Sequence, residues 1–195
     1  MEALEVARSL VLAGDVRKAV LRCGFEVAGE EPGRIAARFL DRAVGLDCET
    51  LKIEEGELPE HLLAILMYHL ATSDGSVPTG RWIAFTELPD GAFYVSAWRG
   101  YTTALIERAA PDAQVVRETL SVLPCRPMGL PGDVSCVFDV FPKLPVAFVF
   151  WEADEEFGAR ADFLFDETAG RHLPTDCVAI CCSWLTRLVL GGQHG

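Results

Sequence analysis

The segment Pro145–Trp151, PVAFVFW, contains no charged residue and no hydroxyl group. Side chains alternate between the two faces of a strand, so a strand that is apolar at both parities must be covered on both sides. The chain therefore has to supply a sheet with cover above and below one central strand. Two neighbours suit that role. VSCVFDV (134–140) is a second apolar strand, and ARADFLF (159–165) alternates, with Ala161, Phe163 and Phe165 on one side and Arg160 and Asp162 on the other. The acidic stretch EADEEFG joins the central strand to the alternating one, which predicts an antiparallel hairpin.

The remaining pattern is mixed. Leu4, Ala7 and Val11 form one helical stripe, stopped by Gly14. Asp15 can cap a second short helix with the stripe Val16, Ala19, Val20 and Cys23. These helices form a preface over residues 1–24. Residues 34–53 break into short alternating pieces typical of a β-meander. LPEHLLAILMYHLA is a helix that is apolar nearly all round and so is buried. RWIAF predicts a short strand and LPDG a turn, with helices following at 98–109 and 112–123. A last helix runs from Thr175 to Leu190, with Pro174 before it and Gly191–Gly192 as its stop. The expected fold is α+β, with a mostly antiparallel sheet made largely by the C-terminal half and flanking helices, in one domain over residues 1–195.

Composition removes several function classes. The net charge of −12 opposes nucleic-acid binding, which depends on neutralising phosphates with Lys and Arg. It equally opposes docking on an anionic membrane. No apolar run approaches the ~20 residues that span a bilayer. The N-terminal stretch lacks the apolar core of a secretory signal, so the expected compartment is the cytoplasm. Seven cysteines with no C-x-x-C pair read there as reduced thiols.

Several groups are candidates for chemistry. From Glu152 to Glu167 the chain carries seven carboxylates and one basic residue, Arg160. Asp154, Glu155 and Asp166 are the acids to test as catalytic or cation-binding groups, since two converging carboxylates split their proton affinities. A solvated hairpin tip is the plainer reading of the same acids. Cys177, Cys181 and Cys182 lie near His172 and Asp176, but they follow the core stripe of a helix, where cysteine behaves as a small hydrophobe. His61 and His69 stand eight residues apart in one helix, too far to share a metal ion. Trp82, Phe85, Phe93, Tyr94, Trp98 and Tyr101 form a dense aromatic group. Of these, Trp82, Phe85 and Tyr94 are cofactor-stacking candidates, together with Tyr68 and His69. G-x-G-x-x-G, Walker A, H-E-x-x-H and G-x-S-x-G motifs are missing, and no cofactor or metal is assigned. Three readings stay open: a small-molecule or cofactor-binding accessory protein, a carboxylate-dependent enzyme using Asp154 and Asp166, and an acidic module for a protein partner.

LPEHLLAILMYHL, GRWIAFTELPDGAFY and FPKLPVAFVFWEADEEFGARADFLFDETAGRHLPTD together resemble a bacterial and archaeal domain family of unknown function. The most specific parts are W-I-x-F-x-E-L-P-x-G at 82–91 and W-x-x-D-E-E-F…L-F-D at 151–166. The resemblance implies a setting in anaerobes, where some members carry a four-cysteine iron–sulfur domain like that of the corrinoid protein of one-carbon metabolism. The chain departs from the family pattern in having Tyr68-His69 in place of His-Tyr, and Thr86 where an Arg is frequent.

Overall fold

A computed structural model describes residues 2–29, 33–109 and 112–191. The apolar run becomes β8 (Leu144–Trp151), buried at every position but the last. It is the middle strand of a five-stranded antiparallel sheet of order β5-β9-β8-β7-β6. Its partners are β7 (Val134–Phe141) and β9 (Arg160–Asp166), and the edges are β5 (Trp82–Ala84) and β6 (Cys125–Pro127). Register places Phe138, Val146 and Phe165 in one row across the sheet, and Cys136, Phe148 and Phe163 in the next. All but Cys136 of these six are fully buried, and Cys136 is 3% exposed. On the opposite face Val137, Ala147 and Val149 are as deeply buried. Two-sided cover is therefore met. The alternation expected of β9 holds as well, with Ala161, Phe163 and Phe165 inward.

The N-terminal half builds a second, four-stranded antiparallel sheet from β1 (Glu26–Ala28), β2 (Arg34–Phe39), β3 (Arg42–Asp47) and β4 (Ile53–Glu55). It is the meander expected over 34–53, extended by β1. The two sheets meet where Leu40 N–H donates to the Val140 carbonyl and Phe39 packs edge-on to Phe141 at 5.6 Å.

Helices α1 (Glu2–Leu12) and α2 (Val16–Arg22) form the preface, and the Asp15 carboxylate accepts the Lys18 N–H as a cap. Helix α3 (Glu60–Thr72) buries eight residues from Leu62 to Leu70, as its all-round apolar character requires. After α5 (Thr103–Ala109), α6 (Ala113–Leu120) and the one-turn α7 (Ala169–His172), the long helix α8 (Thr175–Val189) sets Cys181, Cys182, Leu185, Leu188 and Val189 into the core. Gly192, half of the expected stop for α8, lies outside the described residues. No described helix is long and apolar enough to cross a membrane.

One helix starts well before its predicted position. Helix α4 runs Gly91–Tyr101, so GAFYVSA is helical where the sequence predicts a helix only from residue 98. The cause is the corner before it. Phe85–Glu87 form a 3₁₀ turn held by the Glu87 carboxylate, which accepts the Ala84 N–H at 2.8 Å. Asp90 then takes a left-handed conformation (φ 60°), and Gly91 presses against the Phe85 carbonyl. A Cβ at Gly91 would stand 1.9 Å from that oxygen, which is backbone and cannot swing aside. Gly91→Ala should therefore destabilise the fold by about 1–3 kcal/mol, measured as a lowered urea midpoint at unchanged m-value.

Candidate functional site

The acidic hairpin joins β8 to β9. Trp151 pairs with Arg160 at its neck, where the Arg160 guanidinium lies 5.4 Å from the Trp151 ring centroid. Residues 152–158 are all exposed. Asp154 spends its carboxylate on the turn itself, accepting the Phe157 N–H at 2.7 Å and the Glu156 N–H at 2.8 Å. Its own N–H donates to the Phe157 carbonyl. The Phe157 and Glu156 amides hold its proton affinity below the usual carboxylate range. Glu155 sits beside it in solvent.

Asp166 lies at the far end of β9, about 20 Å along the strand at roughly 3.3 Å per residue. Asp154 and Asp166 are thus not brought together, and the converging pair expected of an acid–base site does not form. Asp166 is 1% exposed. One of its oxygens accepts the N–H and hydroxyl of Thr168, and the other accepts the Gly80 N–H at 2.7 Å. Burial pushes its pKa up, but these bonds outweigh burial and leave it lowered. It acts as a clamp tying the 73–81 loop to the end of the sheet. A hollow of about 370 Å³, lined by Ser76, Val77, Thr79, Glu167, Thr168 and Arg171, lies beside it. The acid in this stretch with a raised pKa is Asp162, where burial pushes it up and the Glu107 carboxylate adds a smaller push, and the sequence did not single it out.

Of the ring candidates, Trp82 is half-buried in β5, directly opposite Asp166. Phe85 is buried and stacked on Trp98, with ring centroids 4.3 Å apart and planes within 4°. Tyr94 is 55% exposed and Phe93 85% exposed, so α4 turns them outward and the aromatic group does not close over a ligand. Tyr68 is half-buried. His69 is fully buried, stacked on Phe141 at 4.3 Å, with Nδ1 donating to the His172 carbonyl at 3.1 Å. His172, also fully buried, pairs its Nδ1 with the Ser73 hydroxyl at 2.8 Å. Both Nε2 atoms are buried without a hydrogen-bond partner among the described residues. These histidines stitch α3, α7 and the 73–81 loop together.

A different place offers room. A cavity of about 480 Å³ opens between α6, β6, β7 and the 128–133 loop, larger than the 350 and 370 Å³ hollows elsewhere. Leu120, Leu130 and Val134 give it apolar wall, while Arg117 and Ser135 add polar groups. Arg117 is anchored to the Asp133 carbonyl at 3.0 Å, and Ser135 holds the loop through Leu130 N–H and the Met128 carbonyl. Cys125, Cys136 and Met128 complete the lining. The Cys136 thiol beside Cys125 lowers the Cys125 pKa, and the same contact together with burial raises that of Cys136. Burial likewise raises the thiols of α8, with Cys177 pushed up to about 12, so Cys125 stands apart. The cavity was missed because β6 is only three residues long and ends in proline. The available signal was the pair of cysteines flanking the glycine-rich loop. Among the described residues, no group of three or more His, Cys, Asp and Glu is arranged to hold a metal ion.

Two antiparallel sheets, packed helices and one mixed-polarity cavity define an α+β domain with a recess of ligand size. The chain belongs to the DUF3786 family, a domain of unknown function, whose profile matches residues 15–188. No curated protein and no solved structure matches it. Both of the motifs that mark the resemblance have structural work here. Glu87, Asp90 and Gly91 build the corner before α4, and Asp154 builds the hairpin turn.

The buried histidines make stability depend on pH. Burial lowers the pKa of His69 to about 3 and lowers that of His172 as well. In the unfolded chain each takes up a proton near pH ~6.5. The unfolded state thus binds more protons between those values, so stability is full above about pH 6.5 and falls as pH drops toward 3. The slope contributed by His69 approaches about 1.4 kcal/mol per pH unit. His69→Phe, which keeps a stacking ring, should flatten the loss between about pH 6 and 4 in urea denaturation series. An unchanged slope would place the acid sensitivity elsewhere.

Proposed function

We propose that this chain is a binding domain whose ligand, a small molecule of mixed apolar and polar character, occupies the cavity between α6, β6 and β7. The observation that carries this reading is the recess itself, about 480 Å³ in volume, with aliphatic walls and the anchored Arg117 and Ser135 at its lining. Ligand sites are concave, mostly apolar and fixed by a few placed polar groups, commonly at about 300–1,000 Å³. The setting that accords with the family resemblance is the cytoplasm and its cofactor or one-carbon metabolism. The carboxylate-enzyme reading loses its support with the separation of Asp154 and Asp166. The protein-partner reading keeps one observation, Phe157 standing 64% exposed among the acids of the hairpin tip.

Methyl-labelled methionine tests the cavity directly. The chain has three methionines, of which Met128 lines the cavity and Met67 is fully buried in α3. An apolar anionic probe such as anilinonaphthalene sulfonate should shift the Met128 methyl resonance and leave Met67 in place. Ser121→Trp, which fills the mouth of the cavity, should abolish the shift. A Met128 signal unmoved by the probe, or moved equally in the Ser121→Trp protein, would overturn the reading.

A further inference from the structure

The lining of the cavity contains more sulfur than a small-molecule recess requires. Cys125, Cys136 and Met128 all line it. Six of the seven cysteines are buried, and Cys125 alone is not. Cys125 and Cys136 share a sheet face, because Cys125 pairs with Phe138 while Pro127 pairs with Cys136. They are therefore diagonal neighbours across two strands. Diagonal positions stand roughly 7–8 Å apart at Cα, at or beyond the reach of about 7 Å for a disulfide. The Cys125 thiol donates to the Leu120 carbonyl at 3.5 Å, and with Cys136 on the same face the two sulfurs can turn toward one ion placed between them.

The ligand set selects the ion. Thiolate and thioether donors are soft and favour copper(I), zinc or iron–sulfur clusters. Structural zinc and iron–sulfur clusters want four protein ligands, and no third His, Cys, Asp or Glu joins the pair among the described residues. The Asp133 carboxylate is held by the Glu152 N–H at 2.8 Å, and the Ser135 hydroxyl is engaged by the loop. We propose that Cys125 and Cys136, in the cavity that Met128 also lines, form a site for a single thiophilic monovalent cation of the copper(I) class. This deepens, and rests on, the reading of the cavity as the ligand site. On loading, the two thiols release their protons to solvent and form two sulfur–copper bonds. Copper stays monovalent and no electron moves. The thiols of α8 offer no comparable place, since Cys177, Cys181 and Cys182 are buried in the helix-packed core.

The test is anaerobic titration of the full chain with copper(I) against a chromophoric copper(I) chelator. One tight equivalent per chain is expected. Cys125→Ser and Cys136→Ala should each weaken it by at least about a hundredfold, the upper end for losing even an outer-shell partner, whereas Cys181→Ala leaves it unchanged. The Met128 methyl resonance should move on loading in the unsubstituted protein, a readout that needs no variant to fold. The absence of a tight equivalent, an affinity indifferent to both cavity cysteines, or one lost in Cys181→Ala would overturn the assignment. Cys136→Ala enlarges the cavity without blocking it, so the response to anilinonaphthalene sulfonate should persist in that variant. Failure of the copper site is thereby distinguishable from failure of the cavity reading.

Discussion

Everything in the larger sheet is organised by the burial of both faces of β8. Phe148 and Phe150 point to one side and Ala147 and Val149 to the other, and all four are essentially inaccessible. Each face of one strand must then be matched by neighbouring strands and by a covering layer, since apolar area left in water forgoes roughly 25 cal/mol per Å². The same demand fixes where function can reside. With the faces of the sheet committed to packing, open volume is left at its rim, where α6 and the 128–133 loop stand off from β6 and β7.

The acidic stretch shows how backbone geometry assigns different duties to one residue type. Asp154 is consumed by the amides of its own turn, and Asp166 by those of Thr168 and Gly80. Asp162, between them in sequence, sits partly out of water with only the next residue's N–H bonded to its carboxylate. Three aspartates within thirteen residues thus form a turn, a clamp and a half-buried acid. Density of acid in the sequence was a guide to architecture, and a poor guide to chemistry.

Strong periodicity made much of the fold legible in advance. The two-sided apolarity of β8, the alternation of β9, the all-round apolar α3 and the Asp15 cap each follow from a local rule that tertiary structure had no reason to override. Short elements were not legible. β1 and β6 have three residues each, too few for a period, and they exist because a longer strand offers them an edge. The early start of α4 depended on Gly91 meeting the Phe85 carbonyl, a contact that nothing in the local pattern announces. The cavity escaped for a related reason. Its walls come from a helix, a short strand and a loop, each unremarkable alone, and Cys125 and Cys136 read as ordinary strand residues until register sets them diagonally.

The shortness of the outer strands also bears on how the molecule keeps its company. An unpaired strand edge is a template on which other chains can extend a sheet. Here the most apolar strand is enclosed in the centre, and the boundaries fall to β5 and β6, three residues apiece. Pro127 contributes no amide hydrogen to the β6 rim, and Arg126 carries charge out from the same strand. A sheet built around so sticky a centre is thereby given borders too brief to recruit a stranger, one of them also broken by proline and marked by charge.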